Sequence, residues 1–175
     1  MSILPEDVAV RTTLGLGGNL DNPIHAMALA LRMLDARADC RVVSVSRLYR
    51  TPPWGKTDQS FFYNSCAALD TTLSPEALLD VCLDIERQMK RVRIERWGPR
   101  TIDIDVLTYG DLEQAEPLLT IPHPRMVERG FVLMPLADFS ADLVVKDRTI
   151  RDWLLEADVH GIEIADESRD WWRTA

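Results

Sequence analysis

The chain has 175 residues, 46% of them hydrophobic and 27% charged, with a formal net charge of −8. That length suits one domain with a sizeable core, and the composition is ordinary for a soluble globular protein. No run of about 18 apolar residues occurs, so no membrane span is expected, and the acidic balance argues against general affinity for nucleic acid. The segment Met1 to Asp7 lacks the basic start and apolar core of a secretion signal. Cys40, Cys66 and Cys82 are odd in number, widely spaced and set in apolar or periodic segments, which points to reduced core thiols. A cytoplasmic protein is the expectation.

In chain order, Val8 to Leu16 reads as a first strand running into the glycine turn Gly15-Leu-Gly-Gly-Asn19. A helix follows from about Pro23 to Ala36, with Asn22 as N-cap and Pro23 in the first helical position. Ile24, Met27, Ala28, Leu31 and Leu34 form its apolar face. The glycine turn is neither a Walker loop nor a full dinucleotide fingerprint, and a tight strand-to-helix turn is its better reading. Arg41 to Tyr49 is a second strand, broken by Thr51-Pro-Pro-Trp-Gly55, and a third runs from Phe62 to Asp70. Ser74-Pro75-Glu76 opens a second helix whose stripe is Leu78, Cys82, Ile85 and Met89.

Between Arg87 and Arg100 lie six basic residues against one acid, Glu95, and 17 of the chain's 20 basic residues are arginine. A local basic excess in an acidic protein implies a focused anion site served by forked guanidinium contacts. The next strand runs from Thr101 to Tyr109. Ile102, Ile104 and Val106 alternate there with Asp103 and Asp105, so the two carboxylates share one face, with Cα atoms roughly 6.5–7 Å apart. Adjacent carboxylates repel unless a cation or proton lies between them, and hard divalent ions such as Mg²⁺ favour such oxygens. Metal-dependent phosphate chemistry is the reading; a solvated strand face is the bland alternative. Thr120 to Arg125 introduces a short helical stretch that Gly130-Phe131 breaks, Thr149 to Ala157 is a last helix, and the tail with Trp171 and Trp172 either docks or frays. The order is β-α-β-β-α-β plus additions. That is an α+β, ferredoxin-like core with helices packed on a mainly antiparallel sheet, in one domain over 1–175.

Six pieces of the chain together resemble the 6-hydroxymethyl-7,8-dihydropterin pyrophosphokinase family of folate biosynthesis. They are Leu16-Gly-Gly-Asn-Leu20, Tyr49-Arg-Thr-Pro-Pro53, Phe62-Tyr-Asn64, Arg91-x-Arg93, Arg96-Trp-Gly-Pro-Arg-Thr-Ile-Asp-Ile-Asp105, and Pro122-His123 with Arg129-Gly-Phe131, in order over about 8–140. The resemblance implies Mg²⁺-dependent transfer of pyrophosphate from ATP to the pterin hydroxymethyl group, releasing AMP, by a monomer with loops that close over both substrates. It implies Asp103 and Asp105 as ligands of two Mg²⁺ ions, and Arg91 and Arg100 beside them as catalytic residues. Glu86, Arg91, Arg93, Arg100, His123 and Arg129 take ATP-binding positions. Thr51, Pro52, Trp54, Phe62, Asn64, Trp97 and Phe131 take pterin-binding ones, with Phe62 and Phe131 stacking, Asn64 reading the ring edge and Trp97 as a lid. His25 and His160 are read as structural.

The chain departs from the family at several points. Gly18 stands where serine is usual, Phe62 where tyrosine is frequent, Ile94 where a basic residue can occur, and Leu83 and Leu118 where polar or basic residues can contact nucleotide. The rival readings are a two-metal phosphohydrolase using the same carboxylates, and a non-catalytic ferredoxin-like ligand-binding module. ATP breakdown without pterin would favour the first, and an Asp105→Ala variant with function unchanged would favour the second.

Overall fold

A computed structural model describes residues 8–53, 60–89 and 102–175. Its first strand, β1 (Val10–Gly18), continues through the glycines expected to form a turn. Gly17 and Gly18 pair with Asn64 and Tyr63 on one side, and Gly17 pairs with Asp103 on the other. Pairing on both edges carries the strand past its β-poor residues, a tertiary effect that local propensity does not contain. Helix α1 (Pro23–Asp35) starts where expected, the Asn22 side chain accepting a hydrogen bond from the His25 amide.

The expected strand from Arg41 to Tyr49 is two strands, β2 (Cys40–Val45) and β3 (Leu48–Thr51). Both pair antiparallel with β4 (Phe62–Thr71), β2 with its far half and β3 with its beginning. At the break the Ser46 amide donates to the Cys66 carbonyl, while the Ser46 hydroxyl accepts from the Cys66 amide. A serine that takes both backbone groups of Cys66 leaves neither of them orphaned at the break. After α2 (Pro75–Met89), strand β5 (Asp103–Tyr109) pairs antiparallel with β1, and the sheet order β3-β4-β1-β5 is that of a ferredoxin-like core.

Two small hairpins follow, β6 (Gln114–Ala115) with β7 (Thr120–Ile121) and β8 (Val144–Val145) with β9 (Arg148–Thr149). Between them a 3-10 turn (Met126–Glu128) leads to α3 (Gly130–Ser140), so Gly130 opens a helix rather than merely ending one. Helix α4 (Ile150–Glu156) is capped by Thr149. The tail docks. Strand β10 (Glu163–Asp166) extends the sheet beyond β3, and α5 (Trp171–Thr174) buries both tryptophans. The Trp171 indole donates to the Ser46 carbonyl at 2.9 Å, and Arg32 on α1 donates to the Trp172 carbonyl at 2.8 Å.

Strand alternation sends side chains to two apolar layers. Leu14, Leu16, Ala67, Leu69, Ile104 and Val106 pack with Met27, Leu31 and Leu34 of α1, with Leu78, Cys82 and Ile85 of α2, and with the two tail tryptophans. On the other face Cys66 and Leu107 pack with Met126, Leu133, Leu136, Val145 and Ile150. A polar clamp holds α3 there: the Asp138 carboxylate accepts from the Tyr49 hydroxyl at 2.8 Å and from Arg47 at 3.0 and 3.2 Å. Burial, then the hydrogen bond to Asp138 and that carboxylate's charge, pushes the Tyr49 phenol up, so it stays a donor. Cys40, Cys66 and Cys82 are buried free thiols, as expected. No described helix is long and apolar enough to cross a membrane.

Candidate active site

Among the described residues, the second face is covered by α3 and α4 over only part of its length. Where cover stops, its residues change from apolar to polar or absent, with the ring of Phe62 at the rim. Leu107 gives way along β5 to Asp105 and Asp103, and Cys66 along β4 to Asn64 and Phe62. Between them β1 presents Gly15, opposite Asp105 and Cys66, and Gly17, opposite Asp103 and Asn64. All of these share one face, and together they line a cavity of about 350 Å³ with Thr51, Arg129 and Phe131. The glycines make a floor of bare peptide. A Cβ on Gly17 would stand 2.8 Å from the Asn64 amide oxygen, so side-chain absence is what admits Asn64 there.

Each wall is built by its own element. Asn64 is 8% exposed, and its amide nitrogen donates to the Thr51 hydroxyl at 3.2 Å, a brace between β4 and β3. That bond fixes which edge of the amide faces the cavity. Phe62 opens β4, and Phe131 lies in the first turn of α3, so two rings from different layers flank the space. The Arg129 guanidinium stands 5.6 Å from the Phe131 ring centroid. Pro52 lies outside this cavity and lines a neighbouring one with Thr51, Arg129 and Phe131.

Glu86 is buried, not an exposed helical acid: its Oε1 accepts from the Ile104 amide at 2.7 Å, at the residue between the two aspartates. His123 is half-buried within electrostatic reach of Asp105 but is not among the residues lining the cavity, and its amide donates to the Leu107 carbonyl at 2.8 Å. Burial holds its imidazole below the ordinary value, outweighing the upward pull of Asp105, while Arg129, Arg125 and Lys146 add to the lowering. Its Nδ1 accepts from the Arg125 amide at 3.2 Å, which leaves Nε2 as the donor of a neutral ring. Trp54, Arg91, Arg93, Trp97 and Arg100 lie outside the described residues. Gly15, Gly17 and Cys66 line the site without having been expected there. For the two glycines the signal was the small-large alternation of β1, legible only once β5 and β4 are known to flank it; Cys66 follows from its register opposite Gly15.

The donor set suits a hard cation. Two half-buried carboxylates face an open cavity, and among the described residues no third metal-binding side chain joins them. Mg²⁺ is commonly held by one or two carboxylates with substrate phosphates and water completing its shell, so Asp103 and Asp105 fit it. A ferredoxin-like sheet with paired carboxylates beside an aromatic-flanked cavity is an arrangement suited to enzymes of phosphoryl transfer.

The comparisons narrow that class. Residues 13–141 match the family described as 7,8-dihydro-6-hydroxymethylpterin-pyrophosphokinase (HPPK). The chain is 48% identical over 153 residues to the 2-amino-4-hydroxy-6-hydroxymethyldihydropteridine pyrophosphokinase of Methylorubrum extorquens, covering 87% of this chain and 97% of that one. It is 43% identical over 154 residues to the protein of the same name from Pseudomonas aeruginosa, covering 87% and 95%. The fold is shared with wild-type Plasmodium falciparum HPPK-DHPS solved with pteroate, at a TM-score of 0.68 and 17% identity. The match covers 85% of this chain and 44% of that longer one. The chain belongs to the HPPK family.

Proposed function

We propose that the cavity over β1, β4 and β5 is where this pyrophosphokinase of folate biosynthesis transfers pyrophosphate from ATP to the hydroxymethyl group of 6-hydroxymethyl-7,8-dihydropterin, giving AMP and the pterin diphosphate. The observation that carries the reading is the register: Asp103 and Asp105, the Gly15–Gly17 floor and Asn64 lie side by side on one face. Phosphate chemistry and ring recognition therefore share a single hollow.

Phe62 and Phe131 stack the flat pterin, and Asn64, held by Thr51, reads its edge. Asp103 and Asp105 would hold two Mg²⁺ ions, whose charge would offset that of the triphosphate. Glu86 keeps the strand between the carboxylates in place through the Ile104 amide. His123 donates from Nε2 to a phosphate oxygen, and Arg129 supplies fixed positive charge beside it. Arg91, Arg93 and Arg100 neutralise phosphate oxygens as charge moves toward AMP, and Trp54 and Trp97 complete the ring pocket. Asp105 is placed to help take the hydroxyl proton, although positioning and charge matter more in phosphoryl transfer. No side chain forms a covalent intermediate. The chain acts as one domain and as a monomer in the cytoplasm, which size-exclusion with light scattering and cell fractionation test.

Incubation with ATP, Mg²⁺ and the hydroxymethyl dihydropterin is expected to yield AMP in step with pterin diphosphate. Release of ADP alone, or ATP breakdown at full rate without pterin, would overturn the reading.

A further inference from the structure

The family match ends at residue 141, yet the chain beyond it returns to the ring-binding walls. Strand β10 pairs with β3, Glu163 opposite Arg50 and Ile164 opposite Tyr49, and the Arg50 and Glu163 side chains form an ion pair. Strand β3 runs directly into Thr51, which lines the site, and Pro52, which lines the cavity beside it. Just before β10 the segment touches both walls, each time through a glycine. Gly161 has φ +78, and a Cβ there would stand 2.8 Å from Cγ of Pro52. Gly130, between Arg129 and Phe131, would place a Cβ 2.3 Å from the Asp158 carbonyl oxygen. Neither contact survives an added methyl without the wall or the segment moving.

Between these contacts lies a second cavity of about 610 Å³, bounded by Pro52, Arg129 and Phe131 on one side and Asp158, His160 and Ile162 on the other. Thr51, Arg129 and Phe131 line both cavities. Phe131 is therefore a partition with space on either side; Asp138 clamps the far end of its helix to Tyr49 of β3, whereas Phe131 lies in the first turn, away from that clamp. The backbone that spans the gap from Phe131 to Pro52 is 158–162.

We infer that residues 158–162 form a strap that sets the gap between the Thr51–Pro52 wall and Phe131, and so tunes affinity for the flat ring, with Gly161 as a positioning residue. This rests on the pterin-pocket assignment above. An added Cβ at Gly161 pushes Pro52 away or drags the strap off Phe131. Either change loosens the ring slot and leaves the carboxylate end untouched.

The test is steady-state kinetics of Gly161→Ala and Ile162→Ala in the full chain. Gly110→Ala serves as a control, because Gly110 also has positive φ (+52) but lies at the end of β5 remote from the site. Both strap variants are expected to raise KM for the pterin, Gly161→Ala on the order of tenfold and Ile162→Ala by less, with kcat and KM for ATP within about twofold. Gly110→Ala is expected to lower the melting temperature without moving KM. A folded Gly161→Ala protein with unchanged pterin KM overturns the strap, as does an equal loss across kcat and both KM values. If Gly161→Ala does not fold, an unchanged pterin KM in Ile162→Ala overturns it. Asn64→Ala separates the two assignments: a rise in its pterin KM keeps the pocket whatever the strap variants do, and no rise sinks pocket and strap together.

Discussion

On β1, Leu14 and Leu16 enter an apolar layer closed by α1, α2 and α5, while Gly15 and Gly17 leave the opposite face bare. Strand β5 repeats the division with Ile104 and Val106 against Asp103 and Asp105, and β4 with Ala67 and Leu69 against Asn64 and Phe62. Among the described residues, one face is packed by α1, α2 and α5 and the other only under α3 and α4. Where cover is complete, burial rewards large side chains. Where it stops, the same strands carry carboxylates, an amide, a rim aromatic at Phe62 and, at the glycines, no side chain at all. The sealed face thus supplies the rigidity that lets the open one hold repelling charges at fixed spacing.

The sharpest break of that division is Asp105→Ala. It is expected to cut turnover at least about a hundredfold while circular dichroism and thermal unfolding stay near those of the parent. Chelation of Mg²⁺ should do the same reversibly, and turnover that persists in either case would remove the carboxylates from the chemistry. The mirror experiment is Leu14→Ala, one residue from the site but on the sealed face. Deleting a fully buried leucine there is expected to cost about 2–5 kcal/mol in a urea titration, with KM values little changed in the protein that remains folded. Gly17→Ala sits between the two. Its Cβ must displace the Asn64 amide and break the bond to Thr51, so pterin KM should rise on the order of tenfold with kcat nearly kept.

The smallest effect concerns the thiols, which probe both faces at once. Burial pushes Cys82, in the sealed layer, up to about 12 from an ordinary 9.0, and raises Cys66 under the site as well. Native thiols therefore keep protons that unfolded ones lose above pH 9.0. Their share of stability is full below that pH and declines as pH rises toward about 12. Urea midpoints should fall between about pH 8 and about pH 10, and neutral-pH alkylation should be negligible until the chain unfolds. Rapid labelling of Cys66 in native protein would show that the open face is not sealed beneath its floor.

Much of this was legible in the residues alone. The alternation around Asp103 and Asp105, the Asn22 cap and the Ser74-Pro75 helix start are local signals, and each lies where its spacing requires. The glycine run was not: glycine favours turns, and only pairing with Asn64 and Asp103 makes it strand. The break at Ser46 depends on Cys66, twenty residues away. Glu86 looks like any exposed helical acid until β5 lies against it, and the tail tryptophans carry no period that announces a docking partner. What sequence withheld was in each case a neighbour distant along the chain.

The bare floor at Gly15 and Gly17 also limits how this hollow can be retuned. A surface made of peptide offers no atoms to trim, and any substitution there only subtracts room. Altered ligand preference, by evolution or by engineering, has to enter through the rim at Thr51, Phe62 and Phe131. Inhibitors that lie flat on the floor would meet a contour that escape variants cannot reshape without also evicting the natural ligand.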